Sequence, residues 1–267
     1  MFPVVVSDLD GTLLNPDHRF SLRTRQVMQS LNQQGVQFIL ATGRHYEDIK
    51  HLPETVGFDM YLVTSNGARA HSPNHQTVFQ KNICPDMIKP LLALRHDIQV
   101  PTLTNVYQNS EWLIDTDARW LRDFHADSGF YYRVVDLNRI SEKNIQKITF
   151  ISDSVIDLQP LYQKVKALFG DRLSLTSSSA RCFEIMSAGV TKASTLKEVL
   201  KLKGYELKDA IAFGDGLNDL QMLSEVGKGV VMGNADARLV NLLPDHERIG
   251  FSRDDAVAHY LEQQYAS

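Results

Sequence analysis

Val4-Val5-Val6-Ser7-Asp8-Leu9-Asp10-Gly11-Thr12 is the stretch on which the reading of this chain turns. Three successive β-branched residues form the unbroken apolar run expected of a strand covered on both faces of a parallel sheet. The run ends in two carboxylates spaced i, i+2, followed by Gly-Thr. Carboxylates are costly to strip of water, so two of them at the end of a buried strand point to a cation. Open α/β sheets bind ligands in the crevice outside the carboxyl ends of their strands. Asp8 and Asp10 would stand at that edge.

Working outward, Ser21 opens a helical pattern through Val27, Met28 and Leu31 that Gly35 closes. A second strand, residues 36–41, ends in Thr42-Gly43-Arg44, with helix-compatible residues 46–52 behind it. A third, residues 60–63, ends in Thr64-Ser65-Asn66-Gly67. This alternation predicts right-handed crossovers and a parallel sheet. From about Ile83 the rhythm changes to a helix over 85–96 and hairpin strands over 102–107 and 111–115. A strand over 145–151, a helix over 155–169 and strands over 173–177 and 182–186 follow. Trp112, Trp120, Phe124, Phe130, Tyr131 and Tyr132 concentrate aromatic rings in this part, either as core or as a binding surface. The α/β rhythm then returns with a helix over 192–202 and a strand over 210–213 that ends in Gly214-Asp215-Gly216-Leu217-Asn218-Asp219. A last strand over 229–232 ends in Gly233-Asn234. The expected fold is α/β: a Rossmann-like doubly wound parallel sheet core with an inserted α+β domain. The core takes 1–82 and 188–267, and the insert takes 83–187.

Composition bounds the function. The 267 residues are 43% hydrophobic and 22% charged, ordinary for a globular protein. A net charge of -4 supplies no basic field for nucleic acid or anionic membrane. The strand begins almost at Met1, without the basic and apolar regions of a signal peptide. Cys84 and Cys182 have no metal-ligand spacing and read as reduced thiols. A cytoplasmic protein is the expectation, either monomer or homodimer.

The chemistry rests on Asp8, Asp10, Thr42, Lys192, Asp215, Asn218 and Asp219. Taken singly, each has a bland reading. Asp-x-Asp begins a calcium loop, but the later ligands and Glu are absent. Thr42-Gly43-Arg44 alone is a turn, and Lys192 alone is a solvated lysine at a helix start. Gly214-Asp215-Gly216 lacks the third glycine of a dinucleotide fingerprint. Their joint occurrence, each at a strand end or helix start, lifts them above those readings. Hard oxygen ligands without nearby His or Cys favour Mg2+ over zinc. The Thr42 hydroxyl, the Lys192 ammonium and the amides of Gly11-Thr12 and Thr42-Gly43 suit phosphate oxygens.

That ordered set resembles the haloacid dehalogenase superfamily over the whole chain, and the insert is similar to the cap of its Cof-type subfamily. Asp8-Leu9-Asp10-Gly11-Thr12 matches the first motif, Thr42 the second, Lys192 the third and Gly214–Asp219 the fourth. Ala193 departs from the pattern, which often has Gly after the lysine. The resemblance implies a phosphatase in which Asp8 attacks phosphorus and Asp10 protonates the leaving alcohol. Leu9, Thr42, Gly43, Lys192 and Asn218 would bind phosphate; Asp8, Asp10, Asp215 and Asp219 would hold Mg2+. Thr64–Arg69, Thr104–Tyr107 and Asp254–Val257 are similar to stretches of pyridoxal phosphate phosphatases of that subfamily. The implied substrate is thus a small phosphate ester, pyridoxal 5'-phosphate first and sugar phosphates second. Asn66 or Arg69 would bond the polar edge of its ring, and Tyr107 or Trp112 would stack on it. Two alternatives keep the same core: a phosphoaspartate signalling module, against which the insert argues, and a phosphomutase.

Overall fold

The computed structural model describes residues 1–96, 102–125, 127–152 and 158–266. The chain divides into two compact units. The first comprises Met1–Gly43, Lys50–Phe79 and Thr191–Ser267. The second comprises Arg44–Ile49 and Gln80–Val190.

The first unit is built on an eight-stranded sheet. Its order is Glu247–Arg248, Lys228–Val231, Ala210–Gly214, Val4–Ser7, Gln37–Ala41, Tyr61–Thr64, Arg69–His71 and Thr77–Gln80. The first six strands run parallel, as expected. Arg69–His71 turns back antiparallel on Tyr61–Thr64, so the sheet is mixed at one end rather than parallel throughout. The reversal is local: only a four-residue link separates those two strands, too short for the dozen or more residues of a parallel crossover. Both faces are covered. Val4, Val6, Ile39 and Val63 pack with Leu196, Val199 and Leu200 of the Lys192–Leu202 helix. Phe213 points the other way, its ring edge-on to Tyr260 of the Ala256–Tyr265 helix at 5.6 Å. Strand order reverses at Val4–Ser7, flanked by Gln37–Ala41 on one side and Ala210–Gly214 on the other. Such a switch point is where doubly wound sheets open a crevice for ligands.

The second unit is a six-stranded sheet in the order Leu173–Ser179, Cys182–Ser187, Ile145–Ile151, Leu103–Gln108, Glu111–Ile114 and Arg133–Val134. Its strands pair antiparallel except the last two. Val106, Ile148, Phe150, Phe183 and Ile185 bury one face under the Pro85–Ala93 and Gln159–Phe169 helices. The described part of the latter helix begins at Gln159; residues 155–157, expected to open it, lie outside the described residues. The hairpin turn at Asn109 takes a left-handed backbone, φ 52°, which asparagine tolerates better than most residues.

The segment Arg44–Ile49, assigned from sequence to the first unit, clusters with the second. His45 stacks on Phe130 at 4.8 Å and on Tyr107 at 5.9 Å, and its Nε2 lies 2.9 Å from the Asn109 carbonyl. Asp48 pairs with His125 at 2.9 Å and accepts a hydrogen bond from Ser128. Burial alone would raise the Asp48 carboxyl, but the bond to His125 holds it below its usual range. Both cysteines are free. Among the described residues no helix is long and apolar enough to cross a membrane.

Candidate active site

The strand Val4–Ser7 delivers Asp8, whose N–H donates to the Phe213 carbonyl at 3.0 Å. Beyond it, Leu9–Leu13 makes one tight turn, closed by the Leu14 N–H on the Leu9 carbonyl at 2.9 Å. Gly11 takes φ 75° there, and a Cβ on it would fall 2.3 Å from Asp215 Oδ2. Glycine thus satisfies both a left-handed turn and a close approach of backbone to carboxylate. Across the switch point the strand Ala210–Gly214 delivers Asp215, and the turn after it delivers Asn218 and Asp219.

Lys192 ties these elements together. Its helix begins with Thr191, whose side chain accepts from the Ser194 N–H while the Ser194 hydroxyl accepts from the Thr191 N–H, both at 3.0 Å. This reciprocal cap satisfies orphan amides of the first turn. Ala193, where family members often carry Gly, puts its methyl in the buried core. The fully buried Lys192 ammonium donates to Asp8 Oδ1 and to Asp219 Oδ1, each at 2.6 Å. Asp219 Oδ2 in turn accepts the amides of Asp215 at 3.1 Å and Gly216 at 2.9 Å.

Asp8, Asp215 and Asp219 each present an oxygen within 4.8 Å of the others. Burial pushes the Asp8 carboxyl up, Lys192 opposes it, and Asp219 and Asp215 push it further. Burial and the charge of Asp219 raise Asp215 to about 7. Burial works to lower Lys192, but Asp219 and Asp8 together hold it above its ordinary value and keep it protonated. Three carboxylates thus face one ammonium. That surplus of negative charge in hard oxygen donors fits a divalent cation of the magnesium type.

The remaining expected residues fall as follows. The Asp10 carboxylate lies 3.0 Å from His18 Nδ1. Thr42 is buried, its N–H on the Val63 carbonyl at 2.9 Å and its carbonyl receiving the Asn66 N–H at 3.0 Å. A Cβ on Gly43 would stand 3.0 Å from Asn66 Oδ1 and 3.7 Å from Asn218 Nδ2. Asn218 Nδ2 donates to Asn66 Oδ1 at 3.0 Å. Arg69 is buried, which lowers its guanidinium to about 10, and it donates to the adjacent Ala68 carbonyl at 3.2 Å.

Of the two expected stacking platforms, Trp112 needs correction. Trp112 is a core residue, stacked on Tyr107 and Phe130, edge-on to His125 and Tyr132, with its Nε1 on Asn105 Oδ1 at 2.8 Å. Tyr107 lies between the rings of His45 and Trp112, with Lys147 Nζ 4.9 Å from its centroid. Trp112 thus serves the second unit's own packing, while Tyr107 is partly buried beside it.

Thr12, read from sequence only for its amide, also donates its Oγ1 to Asp215 Oδ1 at 3.0 Å. Two residues were not singled out from sequence: Asn234 Nδ2 donates to the Gly11 carbonyl at 2.6 Å, and His18 sits on Asp10. Asn234 carries a signal, since it ends a strand. His18 carries none.

With the geometry in place, comparison with known proteins gives the class. The profile of the haloacid dehalogenase-like hydrolases matches residues 5–261. A Haemophilus influenzae protein provisionally named a phosphatase is 37% identical over 265 residues, 99% of this chain and 97% of its own length. A Cronobacter sakazakii HMP-PP phosphatase is 35% identical over 254 residues, 95% of this chain and 92% of that protein. A sugar phosphatase of subclass IIB in the same superfamily superposes with a TM-score of 0.83 at 18% identity, covering 98% of each chain. The last likeness speaks for the fold. The chain belongs to the haloacid dehalogenase-like hydrolase family and is an enzyme, a phosphatase of the Cof type.

Proposed function

We propose that this enzyme hydrolyses small phosphomonoesters in two steps through a phosphorylated Asp8, with Mg2+ as cofactor. One observation carries the reading most: the buried Lys192 ammonium bridging Asp8 and Asp219 at 2.6 Å each. That bridge fixes the Asp8 carboxylate and places a positive charge beside any phosphoryl group it attacks. The Asp8 oxygen forms a bond to phosphorus as the bond to the leaving alkoxide breaks, a covalent catalysis by carboxylate. Asp10 gives its proton to that leaving oxygen, then takes one from the water that cleaves the acyl phosphate. His18, beside Asp10, orients its carboxyl group for this exchange. Asp8, Asp215 and Asp219, with the main-chain carbonyl of Asp10, would hold the cation, which when bound offsets charge on the phosphoryl oxygens. Lys192, the Thr42 hydroxyl, the amides of Leu9 and Gly43, and Asn218 would bind those oxygens, where positioning and electrostatics supply most of the rate.

Pyridoxal 5'-phosphate is the first substrate proposed, with sugar phosphates secondary, on the resemblance of Thr64–Arg69 and Thr104–Tyr107. Arg69 and Asn66 would meet its polar groups. A second reading, HMP-PP, draws on the relative of that name, which aligns over 95% of this chain. The enzyme would act in the cytoplasm on small molecules alone. Phosphate release from pyridoxal 5'-phosphate, HMP-PP, hexose phosphates and flavin mononucleotide, with Mg2+ and with chelator, tests these statements. The highest kcat/KM for pyridoxal 5'-phosphate supports the first reading. A rank below most of the panel overturns it and leaves the phosphatase intact. Activity unaffected by chelator contradicts the metal.

A further inference from the structure

The turn after the Tyr61–Thr64 strand is built at a cost. Ser65, Asn66 and Gly67 are three successive left-handed residues, with φ of 50°, 55° and 98°. Only the last is glycine, and non-glycine residues take this conformation against steric repulsion. The surroundings enforce it. The Asn66 N–H donates to the Thr42 carbonyl at 3.0 Å and the Ala68 N–H to the Ser65 carbonyl at 3.1 Å. Thr195 Oγ1 donates to the Gly67 carbonyl at 2.6 Å, and a Cβ on Gly67 would stand 2.2 Å from the Thr191 carbonyl. The turn is thus wedged against the cap of the helix that carries Lys192. Glycine would adopt the Asn66 backbone with less strain, so what the chain gains at this position is the carboxamide. That group accepts Asn218 Nδ2 at 3.0 Å and stands beside Gly43.

We propose that Asn66 is a positioning residue: the strained turn holds its carboxamide against Asn218 and fixes the orientation in which the Asn218 amide meets a phosphate oxygen. This rests on the reading of Asn218 as a phosphate ligand and moves Asn66 from the leaving group to the phosphate. Strained backbone held by its surroundings concentrates at functional sites because it preorganises them. Asn218 lies on a short turn, and its bond to Asn66 selects one orientation of the buried amide.

The test is a double-mutant cycle on the full-length enzyme with Mg2+ and p-nitrophenyl phosphate, using Asn66→Gly, Asn218→Ala and the double variant. Inorganic phosphate serves as competitive inhibitor. Asn66→Gly removes the amide and permits the backbone, so the folded state survives. Each single change lowers kcat/KM roughly ten- to a hundredfold, the scale of a hydrogen bond to a charged group. The Asn66→Gly variant raises KM and the phosphate inhibition constant together. The double variant is no worse than Asn218→Ala, since one residue acts through the other. A merely structural role would lower the active fraction without moving the inhibition constant, and that result overturns the proposal. So do additive effects in the double variant. An Asn218→Ala enzyme with unchanged kinetics overturns it too, by removing Asn218 from phosphate binding. A loss at Asn218 with none at Asn66 sinks this inference alone.

Discussion

Asp8 and Asp10 are two residues apart and the structure gives them different company. Asp8 is buried against Lys192, and Asp10 is half-exposed beside His18. These two settings suit the nucleophile and the proton carrier of the proposed mechanism. Asp8→Asn should abolish turnover of p-nitrophenyl phosphate while the melting temperature holds, because an amide cannot attack phosphorus. Asp10→Asn should slow kcat by about 10²–10⁴-fold, the usual worth of general acid–base help, measured at saturating substrate. Asp215→Ala should raise the Mg2+ concentration needed for half-maximal rate; a titration that does not move places the ion elsewhere. That Asp8, Lys192, Asp215 and Asp219 would come together was legible because they follow strand ends or open a helix, where the chain order alone brings side chains to one edge. Trp112 was not legible as core. Its type suits a binding platform equally well, and only the packing of Phe130 and Tyr132 against it decides. His18 escaped for the opposite reason: nothing in a surface loop marks a histidine that will fold back on Asp10.

Among elements, the helix Lys192–Leu202 does most to assemble the site, and its first turn depends on a side-chain cap. Thr191→Ala should cost about 1 kcal/mol of stability, the typical worth of an N-cap, read from urea denaturation. Gly67→Ala should cost more than that, since a Cβ would meet the Thr191 carbonyl at 2.2 Å in a left-handed backbone. Element types followed from periodicity: β-branched runs gave strands and spaced apolar residues gave helices. The antiparallel return of Arg69–His71 was not foreseen, because the brevity of a link shows only once both strands are placed. Element ends drifted by a residue or two where no cap or proline marked them, as with the strand beginning at Gln37 rather than Val36.

At the scale of the whole molecule, two units own separate cores, and a lesion in one should be felt first there. Phe150, fully buried in the second unit, is the test case. Phe150→Ala should destabilise by about 3–5 kcal/mol, seen as a lowered midpoint for tryptophan fluorescence, which reports Trp112 and Trp120 of that unit. Alternation of α/β and α+β patterns predicts a two-part chain, and the structure divides into two compact units. The allegiance of Arg44–Ile49 was not visible, since it rests on the His45 stack and the Asp48–His125 pair rather than on pattern. The proposed function turns on a covalent step at Asp8. Peptide mapping by mass spectrometry, after acid quench during steady-state turnover of p-nitrophenyl phosphate, tests that step most directly. The account predicts one phosphoryl group on the peptide that contains Asp8, absent without Mg2+. A phosphoryl group on any other residue, or an unmodified Asp8 peptide at saturating substrate, would contradict it.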